Sequence, residues 1–357
     1  MERAQGLGKA ADGLVARRCR SGSAAFLLAL ALICVVPAGA AQTPGAAACD
    51  RACLRGLADR LLDSMPTRNT STLPLGKTYA ATENSVAAAL PMMSAWRTIT
   101  ATRQRFYVID SKTQQVFVVA GLEEGPYETL LWGRLRIDDQ QLTEIELYLN
   151  RSRAQGGYQF GGAGPANFPQ AWTAAAAADR LLPRAQLLEH GRAIFDSRLK
   201  ARPADSSCTL MENGKIVEEH AEVAAALAGG APAAGAAMVP IPCGLPPERP
   251  TDKRARTPVV DEVQGIVVGQ AVVHGAAQPM LVTTPTESAF VPDQILRPYL
   301  RMLERQRGEN RYLSPALAPM PATAAVAEVH RVVNGRIQGQ LLLVNLGAPG
   351  SRSPWVR

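Results

Sequence analysis

The sequence predicts an α+β protein that consists of two similar domains in tandem. A strand pattern at Tyr107–Ala120 recurs at Pro258–Gly269, and a hairpin pattern follows each copy, at 134–146 and at 329–340. The chain has 357 residues, of which 47% are hydrophobic and 19% charged, a composition and length that suit two globular domains. Helical and alternating apolar patterns are both present, so each domain is expected to be a curved antiparallel sheet with helices packed on one face.

The first 40 residues have the features of a secretory signal peptide. Arg17, Arg18 and Arg20 precede a short apolar stretch, Ala24–Val36, and small residues follow it. The stretch is too short to span a bilayer comfortably, so we expect cleavage near residue 40 and no stable membrane insertion afterwards. An uncleaved anchor is the alternative. Export to the periplasm or medium follows, and the alanine- and proline-rich composition favours a bacterial source.

The charge of the chain gives no support for nucleic-acid binding. The formal net charge is +7, and residues 1–40 carry five Lys/Arg against two Asp/Glu, so the remainder has a net charge of +4. The local basic run Arg249–Arg256 contains prolines and no aromatic residues that could stack on bases. We therefore interpret it as a solvated loop and expect no nucleic-acid partner.

The first domain is expected over residues 49–154, after a flexible segment at 41–48. Apolar residues recur at helical spacing over Ala52–Met65, with Asp50 before them as a cap and Pro66 after them as a stop. A short strand and a turn are expected within Tyr79–Arg97.

Strands fill the rest of the first domain. They are expected at 103–110 and 115–122, followed by a hairpin whose arms are Thr129–Ile137 and Leu142–Leu149.

A glycine-rich linker at 155–168 leads to the second domain, expected over 169–348. Its first element is predicted as a helix over Pro169–Leu199, interrupted at Pro183. Residues 220–255 are rich in Ala, Gly and Pro and are interpreted as a low-complexity insertion.

A strand or turn is predicted at Cys208–Val217, before the insertion. After the insertion, strands are predicted over Val259–Val273 and a helix over Pro292–Gln306. A final hairpin joins Ala325–Val333 to Arg336–Leu346 through Asn-Gly, which favours a type I′ turn. Residues 349–357 are expected to be a tail.

Four cysteines follow the predicted cleavage site, and an even number in an exported chain favours disulfides. Cys208 and Cys243 flank the insertion and are the preferred pair, while Cys49 and Cys53 are one helical turn apart, an awkward but feasible bridge. The spacing does not match that of a zinc site, so no metal is expected.

Several of these segments together resemble a family of secreted proteins. Cys49–Asp63, Thr82–Asn84, Cys208–Gly214 and Pro258–Glu262 are similar to elements of the DUF8021 group, in particular to its longer members with two copies of an NTF2-like (SnoaL-like) fold. The resemblance implies a cone-shaped sheet wrapped around a helix, with an apolar pocket in its mouth. Enzymes and non-catalytic proteins both use this fold, so the resemblance does not decide the function.

The resemblance directs attention to residues that could work in a pocket. Enzymes of this fold use a carboxylate or histidine as general base, so the candidates are Glu83, Glu212, His274 and His330. Glu83 and Glu212 each precede an asparagine in a turn-forming dipeptide, so a turn role is the alternative. The same alternative holds for the matched Asp110 and Asp261, and we prefer it for both pairs.

Four aromatic side chains of the first domain could line its pocket or its core: Trp96, Tyr107, Phe117 and Trp132.

The leading hypothesis is an exported module that binds a small apolar molecule, with no cofactor. A cofactor-independent lyase, isomerase or hydrolase is the second hypothesis. The third is an interaction protein whose sheet faces pair two domains, or two chains as a homodimer.

Overall fold

The computed structural model describes residues 48–151, 175–221, 237–246, 255–277, 290–294 and 320–355, and the single positions 172, 249, 288, 296, 297, 301 and 308. All of them belong to one compact unit, Pro44–Arg357. The predicted signal peptide and linker lie outside the described residues, as do most of the insertion and most of the helix predicted at 292–306. No described helix is long and apolar enough to cross a membrane.

The fold class is α+β, as predicted, with extensive curled sheet and few helices. The first helix, α1, spans Arg51–Thr67, and the carboxylate of Asp50 accepts a hydrogen bond of 2.8 Å from the backbone N–H of Cys53. This cap satisfies an N–H that the helix itself leaves unpaired. Pro66 lies inside the last turn rather than after it, and Arg68 ends the helix with a φ of 54°.

A six-stranded sheet follows α1 and forms the first repeat. Its strands are β1 (Leu75–Glu83), β2 (Val86–Ala87), β3 (Ala101–Asp110), β4 (Gln115–Glu124), β5 (Tyr127–Asp138) and β6 (Gln141–Arg151). Between β2 and β3 lie a 3₁₀ turn, Leu90–Met92, and a short helix α2, Ser94–Thr98. The region predicted as a short strand and a turn, Tyr79–Arg97, thus holds the second half of a nine-residue strand and most of a short helix.

The second repeat begins with helix α3, Arg184–Ala193. Its strands are β7 (Leu210–Glu212), β8 (Lys215–Ile216), β9 (Glu218–His220), β10 (Met238–Pro240), β11 (Val259–Asp261), β12 (Ile266–Ala277), β13 (Phe290–Pro292), β14 (Met320–Val333) and β15 (Arg336–Gly347). The helix predicted over Pro169–Leu199 is therefore wrong at both ends. Of the described residues in that range, only Arg184–Ala193 form an α-helix. Pro183 directly precedes α3, where its missing N–H costs nothing, and residues 196–200 form turns.

Both sheets have the same topology. The first has the strand order β2-β1-β6-β5-β4-β3, and the second has β8-β7-β15-β14-β12-β11, with β13 paired to β12. In each, the first strand runs parallel to the last, and a bulge interrupts the final hairpin at the same place, after Arg136 and after Arg331. The sequence repeat is therefore a repeat of supersecondary structure.

The two sheets pack face to face. Phe117, Trp132 and Tyr148 of the first sheet share one buried apolar cluster with Val268 and Leu343 of the second. On its other face the first sheet packs against α1 and α2, and the second sheet packs against α3. Each sheet is thus covered on one side by helix and on the other by its repeat partner.

The matched aspartates join the repeats to each other. Asp110 of the first repeat forms two hydrogen bonds, of 2.9 and 2.8 Å, with the guanidinium of Arg184, the first residue of α3. Its carboxylate also accepts a bond of 3.2 Å from the backbone N–H of Val260 in the second repeat. Burial raises the pKa of Asp110, but the bonds from Arg184, Thr113 and Val260 outweigh burial, so the net shift is downward.

Asp261 makes the reciprocal contacts. It binds Arg51, the first residue of α1, at 2.8 and 2.7 Å, and accepts a bond of 3.0 Å from the backbone N–H of Ile109. Both aspartates are fully buried, and each also accepts backbone bonds in its own turn, the role predicted from sequence. We call these two contacts the aspartate clamps.

Candidate functional site

A groove of about 1150 Å³ crosses the first sheet. It lies on the face that carries Phe117 and Trp132, because Arg134 and Gln115 alternate in phase with them along β5 and β4. We call it the sheet groove. Its lining residues are Thr78, Tyr79, Ala80, Ala81, Thr82, Ala87, Ala88, Ala89, Gln115, Arg134, Asp138, Thr143, Glu144, Arg256, Thr257, Pro354 and Trp355.

Ion pairs form one wall of the sheet groove. Arg134 is 5% exposed; it donates to Gln115 Oε1 at 3.0 Å and to Glu144, and its Nε lies 3.6 Å from Glu146 Oε2. Arg256 donates to the same Glu146 oxygen at 2.7 Å. Two guanidinium groups thus face two carboxylates, and the wall carries a balanced charge.

The burial of this wall shifts the ionisation of its members. Burial lowers the pKa of Arg256, and the charge of Glu146 opposes that shift. Tyr148 donates to Glu146 Oε1 at 2.9 Å, and burial followed by the charge of Glu146 raises the pKa of its hydroxyl. The tyrosine therefore remains a neutral donor at physiological pH.

Trp355 lies at the same wall. Its indole N–H donates to Thr82 Oγ1 at 2.8 Å. The guanidinium carbons of Arg134 and Arg256 are 5.7 and 5.4 Å from the ring centroid, within the range of cation–π contact. The segment that carries Trp355 therefore closes one part of the sheet groove.

A second cavity, of about 530 Å³, lies beside the turn at Asn84 and the ends of β6 and β15. Its wall includes amide side chains that bridge the repeats: Asn150 donates to Asn213 Oδ1 at 3.0 Å, and Asn345 donates to Asn150 Oδ1 at 2.7 Å. Because these amides satisfy one another, we interpret them as a structural bridge. A third cavity, beside Trp132, holds only about 10 Å³.

The predicted carboxylates Glu83 and Glu212 hold neighbouring chain segments. Glu83 accepts bonds from the backbone N–H groups of Ser94 and Ala95, at 3.1 and 2.8 Å, and so caps the start of α2. Glu212 accepts a bond of 2.6 Å from the hydroxyl of Ser288. Neither lines any of the three cavities.

Their neighbours Asn84 and Asn213 adopt left-handed backbone conformations, with φ of 50° and 49°. Each side-chain carbonyl accepts a bond from the last strand of its own sheet, from the N–H of Leu149 at 2.9 Å and from that of Val344 at 3.0 Å. The recurrence of Glu-Asn in the sequence thus reflects a repeated turn.

The two predicted histidines have different environments. His274 is exposed and lies 3.1 Å from Thr323 Oγ1. His330 is fully buried, with its Nδ1 2.8 Å from His190 Nε2 and its Nε2 2.7 Å from Glu328 Oε1. Neither histidine lines one of the three cavities.

His190, on α3, completes a buried chain of His190, His330 and Glu328. Gln340 also donates to Glu328, at 2.5 Å. Burial, followed by the charges of His330, Arg202 and Arg249, lowers the pKa of His190 to about 2. Sequence reasoning missed this chain because α3 and β14 are 140 residues apart, and no local signal pairs them.

The four predicted pocket aromatics lie on opposite faces of the first sheet. Trp96, in α2, and Tyr107, in β3, pack in the cluster that contains α1, where they donate to Ser64 at 2.9 Å and to Asp59 at 2.5 Å. Phe117 and Trp132 lie between the sheets. The structure therefore does not bring the four together around one cavity.

Two disulfides, Cys49–Cys53 and Cys208–Cys243, are present. Disulfides are typical of proteins in oxidising compartments, outside the cytoplasm. Within the described part of the chain, no cluster of His, Cys, Asp and Glu has the arrangement of a metal site.

No protein-family model, curated protein or solved structure matches this chain. The assignment of function therefore depends on the geometry above.

Proposed function

We propose that the chain is an exported binding protein that consists of two NTF2-like units and takes a small molecule in the sheet groove. The observation that carries the proposal is the groove itself, about 1150 Å³ in volume, with a wall of buried ion pairs. Ligand sites are typically concave and contain a few fixed polar groups, and their volumes range from about 300 to 1,000 Å³. The sheet groove is slightly larger than this range and has such fixed polar groups in its wall.

The NTF2-like assignment is supported by the element order of both repeats. Each repeat has a helix, a short hairpin and then four strands that form an antiparallel sheet. The last of these strands pairs in parallel with the first strand of the hairpin. The curled sheets and the helix packed on one face agree with the cone that the resemblance implies.

The lining of the groove favours a ligand with polar as well as flat apolar groups. Threonines, alanines and Tyr79 supply the floor along β1, and Arg134, Arg256 and Glu144 supply the wall. The apolar interior predicted from sequence is instead filled by α1 and α2 in the described residues, with Leu61 and Trp96 among the packed side chains.

Binding without catalysis agrees with the positions of the titratable groups. An enzyme needs a base within hydrogen-bond reach of its substrate. The groove carboxylate Glu144 and its neighbour Glu146 are both engaged by arginines, and His330 is buried away from the three cavities. A general base at His330 therefore remains the weaker alternative. The two sheet faces already cover each other within one chain, so a homodimer formed through those faces is disfavoured.

Native mass spectrometry of the full chain, purified from an exporting host, tests the proposal. We expect a retained small molecule on the wild type and its loss from Ala80→Trp, because Ala80 lines the groove on an exposed strand position. Ala52→Trp, at an exposed position on α1, is the matched control and should retain the ligand. Equal retention by both variants would exclude the sheet groove as the site.

A further inference from the structure

The indole of Trp355 lines part of the sheet groove in a way that resembles a bound ligand. It contacts both guanidinium groups of the wall through its ring face and donates its N–H to Thr82 on the floor. Two planar guanidinium groups and one hydroxyl acceptor therefore form a subsite in which a flat ring with an N–H donor is bound.

The charge of the wall indicates which chemistry this subsite prefers. Glu146 binds Arg256 at 2.7 Å and lies 3.6 Å from Arg134, and Glu144 also binds Arg134. Because each cation already has a carboxylate partner, an anionic ligand would gain little and would repel both glutamates. A guanidinium group that binds a carboxylate through its edge can still stack its planar face on an aromatic ring.

The segment that carries Trp355 is attached to the sheets mainly before that residue. Gly350 donates to Thr323 Oγ1 at 2.9 Å, and the turn closes with a bond of 3.0 Å from Ser351 to Ala348. Beyond the turn, Trp355 is held to the groove floor through its side chain. Residues 351–355 contain no strand or helix, so the indole can leave without the loss of a sheet ladder.

We infer that the part of the sheet groove that Trp355 occupies is a site for a flat, uncharged aromatic ring with an N–H donor, such as an indole, and that Trp355 is its intramolecular competitor. This inference depends on the proposed function, since it names the ligand class of the same groove. A free ligand must displace Trp355, so its apparent affinity is its intrinsic affinity multiplied by the fraction of molecules in which the subsite is open. If the indole is bound in about nine molecules of ten, the apparent affinity is about tenfold lower.

Isothermal titration calorimetry with N-acetyltryptophanamide as the probe tests the inference. We expect Trp355→Ala to bind the probe at least about tenfold more tightly than the wild type. Arg352→Ala, in the same segment, should behave like the wild type, because it leaves the indole in place. N-acetylleucinamide, which lacks a ring, should not bind Trp355→Ala.

A second substitution separates ring recognition from charge. Trp355→Ala with Arg256→Lys keeps the cation near Glu146 but removes the planar group, so we expect a several-fold loss of probe affinity with an unchanged circular dichroism spectrum. Equal probe affinity in wild type and Trp355→Ala would overturn the inference, as would full affinity in the double variant. If sodium phosphate binds Trp355→Ala and the indole probe does not, the groove is an anion site: the inference then fails while the proposed function stands.

Discussion

Removal of the arginine from either aspartate clamp should destabilise the whole unit. Arg51→Met and Arg184→Met keep most of the side-chain volume and delete the two hydrogen bonds that each guanidinium gives to its aspartate. Asp110 and Asp261 have no exposed surface, so a carboxylate that loses its partner stays away from water.

The magnitude follows from the burial of the pair. Loss of one partner from a buried ion pair costs about 3–5 kcal/mol. The arginine side chains are 36% and 20% exposed and the backbone N–H bonds to each aspartate remain, so we expect the lower end, about 3 kcal/mol for each variant. Since each clamp joins both repeats, the unfolding transition should also become less cooperative.

Urea unfolding at pH 7, followed by circular dichroism, measures the effect. Arg103→Met is the matched control, because Arg103 makes a comparable two-bond pair with Glu123 at the surface. Exposed pairs contribute little, so we expect no resolvable change in its midpoint. If Arg51→Met and Arg184→Met shift the midpoint no more than this control, the clamps do not hold the repeats together.

Acid titration gives a second readout of the same contact. The pKa of Asp110 is lower in the folded chain than its ordinary value of about 3.9, so its contribution to stability is present above that pH and is lost as the pH falls through the folded-state pKa. Arg184→Met removes part of this dependence. If the free energy of unfolding falls with decreasing pH equally in Arg184→Met and in the wild type, Arg184 does not set the ionisation of Asp110.

Two further substitutions test the buried histidine chain and the packing between repeats. The pKa of His190 is about 2 when folded and about 6.5 when unfolded, so the unfolded state binds the extra proton and stability should fall below pH 6.5, by up to about 1.4 kcal/mol per pH unit. His190→Gln should flatten that slope in urea titrations between pH 4.5 and 7, whereas the exposed His274→Gln should keep it. At Gly339 an added Cβ would lie 2.3 Å from carbon atoms of the Trp172 indole, so Gly339→Ala should cost about 2 kcal/mol of unfolding free energy. The same change at Gly56, where a Cβ meets nothing within 4 Å, should stabilise α1, and a loss at both glycines would contradict the packing argument.

Much of the fold was predictable because it depends on local patterns. The helix after Asp50 and the hairpin at Asn334-Gly335, with φ of 52° and 71°, follow from capping and turn chemistry within a few residues. The early part of the second repeat was predicted less well. Helical spacing before Pro183 does not lead to helix in residues 175–177, and a short 3₁₀ turn follows at Ala178–Arg180.

The candidate site was hardly predictable, because its members come from distant segments. Arg134, Arg256 and Trp355 lie more than 90 residues apart in sequence, and no spacing rule relates them. Asp110 and Asp261 did carry a signal, since they recur at matched positions. The signal was interpreted as turn capping alone, and the partner helices could be identified only once the sheets were placed face to face.

The divergence of the two repeats indicates where function lies. The equivalent bulges align Arg134 and Glu146 of the first repeat with Val329 and Leu341 of the second, both of which are buried in the apolar cluster. Tyr148 aligns in the same way with Leu343.

A duplicated fold that needed this polar wall for stability would keep it in both copies, yet the second copy has the apolar Val329, Leu341 and Leu343 at the equivalent positions. Replacing a buried ion pair with apolar residues is often neutral or stabilising, so the polar wall in the first repeat is not explained by stability. It is explained if the wall faces a ligand. The groove and its unmatched polar residues therefore place the proposed site on the sheet of the first repeat.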